Sequence, residues 1–192
     1  MILGPGAFIR VGALVLGAVV LQLSGVAGQR FLGGMIDLTP LVVAGVAIYA
    51  GSVSGAATGF AAGLVLDLAA GQTLGASSLV LTAVGYAVGR YREVRDPAHG
   101  LMPIPVGAAA TAGWVAAFAA VSFMLDIGAE VSPVIFRDML TTIAINALVA
   151  LPVFALCRRL LRPALAVDPF ESRRRRQPPR ESGPLGLRGL EV

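Results

Sequence analysis

The chain has 192 residues, of which 56% are hydrophobic and 14% are charged, and its mean hydropathy is +0.81. A soluble domain carries about 25% charged residues, so this composition cannot cover the surface of a water-soluble fold. It excludes a single soluble globular domain and indicates a membrane protein. All 15 basic residues are arginine. They follow hydrophobic runs or lie in the C-terminal tail, which argues against nucleic-acid binding despite the sequence pI of about 10.2.

The apolar runs predict the membrane spans, each of which needs about 20 residues to cross a hydrocarbon core of about 30 Å. The first run follows Arg10, as in a cleaved signal peptide, but the rest of the chain is equally apolar and favours an uncleaved first span. The segment Leu38–Leu66 carries no charge. As one helix it would be about 44 Å long, which exceeds the thickness of the hydrocarbon core. The Gly/Ser-rich stretch at 51–55, the Gly/Ser break, divides it into two spans. We therefore expect an all-α membrane protein with six spans, at about 11–26, 36–50, 52–70, 75–91, 104–125 and 134–156.

Arginine placement predicts the orientation, because loops on the cytoplasmic side of a membrane carry an excess of basic residues. With six spans and both termini inside, 13 arginines lie on the cytoplasmic side and two, Arg30 and Arg137, lie outside. In a five-span arrangement, the long uncharged segment is one helix and the N-terminus lies outside. Arg30 then lies on the cytoplasmic side in place of Arg10, and the division of arginines is again 13 to two. Charge alone therefore does not choose between five and six spans, whereas length and the Gly/Ser break favour six.

Residues 167–192 differ in composition from the six-span domain of residues 1–166. They are rich in Arg, Pro and Gly, and they cannot bury enough apolar surface to offset the entropy of ordering. The sequence predicts a disordered basic cytoplasmic tail. A run of four arginines near the last span is a candidate contact with anionic lipid or a partner, at about 1 kcal/mol for each cation. The alternative is a topology signal; the run is Arg173, Arg174, Arg175 and Arg176.

Small residues recur every fourth position in the third span and again in the fourth. Residues four apart lie on one helix face, and a strip without side chains lets another helix approach closely. We predict a helix-packing or partner interface there, within the chain or with another protein. The alternatives are that glycine is simply abundant, at 24 residues, and that the one acidic member is an interfacial loop carboxylate. The predicted set is Gly51, Gly55, Gly59, Gly63, Asp67, Gly85 and Gly89.

The residues that carry most enzyme chemistry are scarce. His99 is the only histidine, Cys157 is the only cysteine, and the chain has no lysine. This argues against a zinc cluster, a Ser-His-Asp set and a lysine-containing phosphate loop. One intramembrane carboxylate, Asp67, does not form the pair that an intramembrane protease needs. We expect a non-enzymatic protein without a metal or a cofactor. Asn146, within the last span, is expected to bond across helices.

Three motifs between Gly59 and Arg90 resemble the core of the bacterial rod shape-determining protein MreD family. That family's pattern runs Gly-x-x-x-Gly-Leu-x-x-Asp, then Gly-x-Pro-Leu-Gly, then Gly-Tyr-x-x-Gly. Here the first motif is residues 59–67, the second is 71–75 and the third is 85–89. Thr73 stands where the family often has proline, so the turn before Leu74 is expected to be looser.

The resemblance implies a multi-pass protein of the bacterial inner membrane that scaffolds the cell-elongation machinery and peptidoglycan synthesis. Its partners would be the membrane-anchored MreC, the actin-like MreB, a RodA-type glycosyltransferase and its penicillin-binding transpeptidase, besides membrane lipids. It also implies the six-helix fold of the S components of energy-coupling-factor transporters. That fold supplies the alternative function, capture of a vitamin at the outer face. The shortage of polar side chains favours the scaffold; those available are Asp67, Gln72, Thr73, Ser77, Ser78 and Asn146.

Overall fold

The computed structural model describes residues 5–24, 33–71, 73–94, 102–124 and 133–165. The predicted tail with its four-arginine run, and also Gln72 and His99, lie outside these ranges. The described residues form an all-helical structure, as predicted. Its six helices are α1 (Pro5–Leu23), α2 (Leu38–Ala50), α3 (Ser52–Ala70), α4 (Ala76–Val94), α5 (Pro103–Met124) and α6 (Pro133–Leu165).

Three of these helices contain stretches that are long and apolar enough to cross a membrane. They are Ser52–Ala70 in α3, Pro103–Val121 in α5 and Phe136–Leu161 in α6. The apolar stretches of α1 and α2, Phe8–Leu23 and Leu38–Ala50, are shorter. Membrane crossing by α1, α2 and α4, and therefore the count of six spans, stays a prediction.

The central helix of the bundle is α2. It contacts each of the other five helices, and 11 of its 13 residues are buried. A helix that is apolar on all sides is expected in the interior of a bundle. Its 13 residues make it about 20 Å long, which is shorter than the hydrocarbon core of a bilayer. One residue, Gly51, separates it from α3 at a φ of 91° that favours glycine.

The bundle has two chemically different ends. At one end Arg10 approaches the Leu160 carbonyl at 3.5 Å, and Arg92 donates to the Tyr49 carbonyl at 2.7 Å. We call this the arginine end. The opposite end contains the C-terminal end of α1, the segment 33–37 before α2, the turn between α3 and α4, and the N-terminal end of α6. We call it the cavity end, for the cavity described below.

Candidate functional site

Helices α3 and α4 form an antiparallel hairpin in which the two backbones touch. A Cβ atom added to Gly59 would collide with the Leu81 carbonyl, and one added to Gly63 would collide with the backbone of Ser78. A Cβ on Gly85 would meet the Gly55 carbonyl. Such contacts allow no side chain at these positions. The four-residue glycine spacing on α3 therefore serves packing within the chain.

Two of the other predicted glycines lie at the arginine end of this hairpin. A Cβ on Gly89 would collide with the backbone of Ser52, so the close approach of α3 and α4 extends to the end of the hairpin. Gly51 is not part of the helix face, because it lies before α3, with the Glu93 side chain as its neighbour. Its role is the sharp connection between α2 and α3.

Asp67 joins the two helices at the cavity end. Its side chain is 1% exposed, and it accepts hydrogen bonds from the backbone N–H groups of Gly75, at 2.8 Å, and Ser77, at 3.3 Å. The first N–H groups of a helix lack partners within the helix, and an acidic group is favourable there. Since α4 begins at Ala76, Asp67 caps α4. It is a buried contact of the bundle that belongs to helix α3 and not to a loop.

Glu93 makes the corresponding contact at the arginine end, which sequence reasoning did not identify. It accepts hydrogen bonds from the Ser52 hydroxyl at 2.7 Å and from the Ser52 backbone N–H at 3.0 Å. These two hydrogen bonds are the main reason that the pKa of Glu93 is lowered from 4.5 to about 2, and the neighbouring Arg90 lowers it further. Ser52 is the first residue of α3, so each helix of the hairpin caps the other. A signal for this contact was available in the sequence: aligning the glycines of α3 antiparallel to those of α4 places Glu93 near Ser52.

The segment before α2 is fixed by side chains of α1 and α6. Asn146, fully buried on α6, accepts from the Asp37 N–H at 3.1 Å and donates to the Met35 carbonyl at 3.4 Å. Thr142, one turn earlier, accepts from the Met35 N–H at 3.1 Å. Asn146 thus bonds across elements, as expected, but to an extended segment and not to another helix. These contacts determine the path of the backbone at the cavity end.

A cavity of about 570 Å³ opens beside this segment. Its wall includes two aromatic side chains of α5, Trp114 and Phe118, whose ring centroids are 5.1 Å apart. Asp37, the residue before α2, contributes a half-buried carboxylate. The polar residues of the lining are Gln22, Asp37, Ser77, Asp138 and Thr142.

Sequence reasoning found Ser77 of this lining but missed the other four polar residues. Gln22 and Asp37 are 15 residues apart, and Asp138 is more than a hundred residues from them. No local spacing connects them. The available signal was weaker: Gln22 lies near the end of the first predicted span and Asp37 near the start of the second, which places both near the same membrane face.

Two apolar grooves lie on the outside of the bundle. One, of about 440 Å³, lies between α1 and α3 and includes Val15 and Ala61. The other, of about 420 Å³, lies between α4 and α5 and includes Val88 and Ala109. Among the described residues, no group of three or more His, Cys, Asp or Glu side chains is placed to hold a metal ion. The structure therefore offers two kinds of candidate site, a packed hairpin and a polar cavity.

Comparison with known proteins agrees with the motif in the hairpin. A family model described as rod shape-determining protein MreD matches residues 6–160. No curated protein and no solved structure matches the chain. The matched range contains α2, α3, α4 and α5 entire, and most of α1 and α6. The chain belongs to the MreD family of rod shape-determining proteins.

Proposed function

We propose that this protein is a non-enzymatic membrane scaffold of the bacterial cell-elongation complex. It would control cell shape and peptidoglycan synthesis by binding an MreC-like protein, and through it or beside it a RodA-type glycosyltransferase, its penicillin-binding transpeptidase and MreB. The observation that carries the proposal is the MreD family match over residues 6–160. The proposed location is the inner membrane, with several passes and both termini in the cytoplasm.

The packing of the hairpin bears on where partners bind. The glycines of α3 and α4 are occupied by each other's backbone, so they are not free to receive a partner helix. A partner within the membrane would instead contact the outer surfaces of the bundle. In the cytoplasm, the arginine run at residues 173–176 is the proposed contact with anionic lipid or with a partner.

Co-purification tests the scaffold proposal. The full chain is expressed together with an MreC-like protein, extracted in a mild detergent, and recovered through a tag on the chain. The matched control is an unrelated single-span membrane protein expressed at the same level. We expect the MreC-like protein to be recovered in a fixed ratio to the chain. Recovery no greater than that of the control would overturn the proposal.

A substrate-binding S component of an energy-coupling-factor transporter is the second candidate, favoured by the cavity of about 570 Å³. If the chain had that function, it would co-purify with a coupling module that contains ATPase subunits. An MreC-like gene next to the gene for this chain would favour the scaffold. Stable recovery of the coupling ATPases without the MreC-like protein would favour the transporter.

A further inference from the structure

Asp37 occupies the N-cap position of α2 but does not cap the helix. An aspartate at this position usually accepts a hydrogen bond from the second or third N–H of the helix, whereas the Asp37 side chain makes no such bond. Gln22 of α1 takes that role, because its Oε1 atom accepts from the Thr39 N–H at 3.0 Å and from the Thr39 hydroxyl at 2.6 Å. The Asp37 carboxylate is thus released from capping and lines the cavity.

The position of this carboxylate is fixed by neutral groups. Asn146 holds the Asp37 backbone N–H at 3.1 Å, and Gln22 Nε2 donates to Asp37 Oδ1 at 3.3 Å. Burial of a carboxylate is costly without a compensating partner, and neither amide supplies a positive charge. A rigidly held, half-buried carboxylate is the arrangement expected of a preorganised site for a cation.

The rest of the cavity wall suits an organic cation. Trp114 and Phe118 present aromatic rings to it, and aromatic faces attract ammonium and guanidinium groups. Among the described residues of the lining, none is basic. Asp138, the other acidic residue of the lining, has its own ion pair with Arg137 at 3.5 Å. An anionic ligand would meet two carboxylates here, whereas a cation would be attracted.

We propose that the cavity at the cavity end binds an organic cation, an ammonium or guanidinium group on a short apolar chain, with its charge at Asp37 and its chain against Trp114 and Phe118. This chemistry can come from a small molecule or from a basic side chain of a bound protein. The site does not depend on the scaffold function, because it rests on the cavity lining alone.

The only tryptophan of the chain, Trp114, reports binding directly. The full-length protein in lipid nanodiscs is titrated with n-pentylammonium and n-pentylguanidinium, with n-pentanol and pentanoate as the neutral and anionic matches. We expect a saturable change in tryptophan emission with the two cations. Affinity at least tenfold weaker is expected for Asp37→Asn, which retains an acceptor for Gln22. The control Asp96→Asn, which removes a carboxylate from the segment between α4 and α5, should bind as wild type does.

Thermal unfolding provides a second readout, because a ligand that binds only the folded state raises the midpoint. The cations should raise the midpoint of wild type and not that of Asp37→Asn. Phe118→Leu, which keeps the carboxylate, should also weaken cation binding. Equal affinity for pentanol or pentanoate, or undiminished cation affinity in Asp37→Asn, would overturn the proposal.

Two further titrations distinguish the sources of the cation. Tighter binding of doubly blocked lysine or arginine than of the alkyl cations would indicate a protein side chain, and the reverse would indicate a small molecule. Residues 25–32, which include Arg30, connect Leu23 and Gly33 of the lining. If wild type bound no probe but Arg30→Gln did, the cation would be the chain's own, and the proposal of an external ligand would be wrong.

Discussion

Glu93 accepts two hydrogen bonds from Ser52, one from its hydroxyl at 2.7 Å and one from its backbone N–H at 3.0 Å. At the opposite end of the same hairpin, Asp67 accepts from the N–H of Gly75 at 2.8 Å. Each helix thus supplies the carboxylate that caps its neighbour, and the glycines between these two contacts let the backbones touch. Most of the MreD motif in this chain, including the glycine pairs 59/63 and 85/89 and the aspartate Asp67, therefore lies in the packing and capping of one hairpin.

The Glu93 contact predicts a defined pH dependence of stability. Its pKa is lowered from 4.5 in the unfolded chain to about 2 in the folded protein. The charged form therefore stabilises the fold fully above pH 4.5, and this contribution is lost as the pH falls through 2. We expect Glu93→Gln to lower the midpoint of thermal unfolding at pH 7. The difference from wild type should shrink between these two pH values and vanish below the lower one.

Arg90→Gln is the control for this measurement. It removes the exposed Arg90–Glu93 ion pair at 3.2 Å and leaves the bonds to Ser52. An exposed ion pair is screened by solvent and contributes little to stability, so this variant should change the midpoint much less at every pH. A difference between wild type and Glu93→Gln that stayed constant with pH would contradict the assigned role of the charge.

Asp67 is expected to be a stability determinant. Asp67→Ala leaves two backbone N–H groups at the start of α4 without their acceptor, at a cost of about 1–3 kcal/mol. The free energy of unfolding in a detergent titration measures this loss. Leu68→Ala, the substitution of an adjacent residue that is 62% exposed, should cost less. Equal stability of Asp67→Ala and wild type would show that the cap contributes nothing.

Membrane topology is tested by labelling single cysteines with an impermeant reagent in intact cells. The background is Cys157→Ala, which removes the only native cysteine. New cysteines replace Arg30, Val53 and Asp96. Val53 is chosen because it is 75% exposed near the start of α3, whereas the adjacent Ser52 is 6% exposed. We expect labelling at position 30 only. Labelling at 53 but not at 30 would show that the N-terminal half is inverted.

More of the hairpin than of the cavity could be predicted from the sequence. Glycines every fourth residue determine a helix face directly, so the spacing of Gly59 and Gly63 by itself predicts a close approach of backbones. Asp37 gives no comparable signal, because an aspartate before an apolar run looks like an ordinary N-cap. Its release to the cavity depends on Gln22 in α1 and Asn146 in α6. Only the tertiary arrangement of the bundle brings those two amides to it.

The neighbours of α2 in the bundle also could not be predicted from the sequence. The helix is apolar on every side, so it has no amphipathic face that would indicate a neighbour. Its existence and approximate ends could be predicted from the apolar run together with the Gly/Ser break at 51–55. Its position among all five other helices follows from how those helices pack.

Gly59→Leu tests the central claim that the glycine motif packs the protein internally. A leucine there would strike the Leu81 carbonyl, and overpacking of a tight contact costs about 1–3 kcal/mol. Ala57→Leu is the matched control, since Ala57 is exposed on the same helix and lines the outer groove toward α1. Both variants are measured for thermal stability in detergent and for co-purification of the MreC-like protein. We predict a clear loss of stability for Gly59→Leu and a smaller change for Ala57→Leu. Unchanged stability with loss of the partner in Gly59→Leu would instead place the motif at a protein–protein interface and contradict the claim.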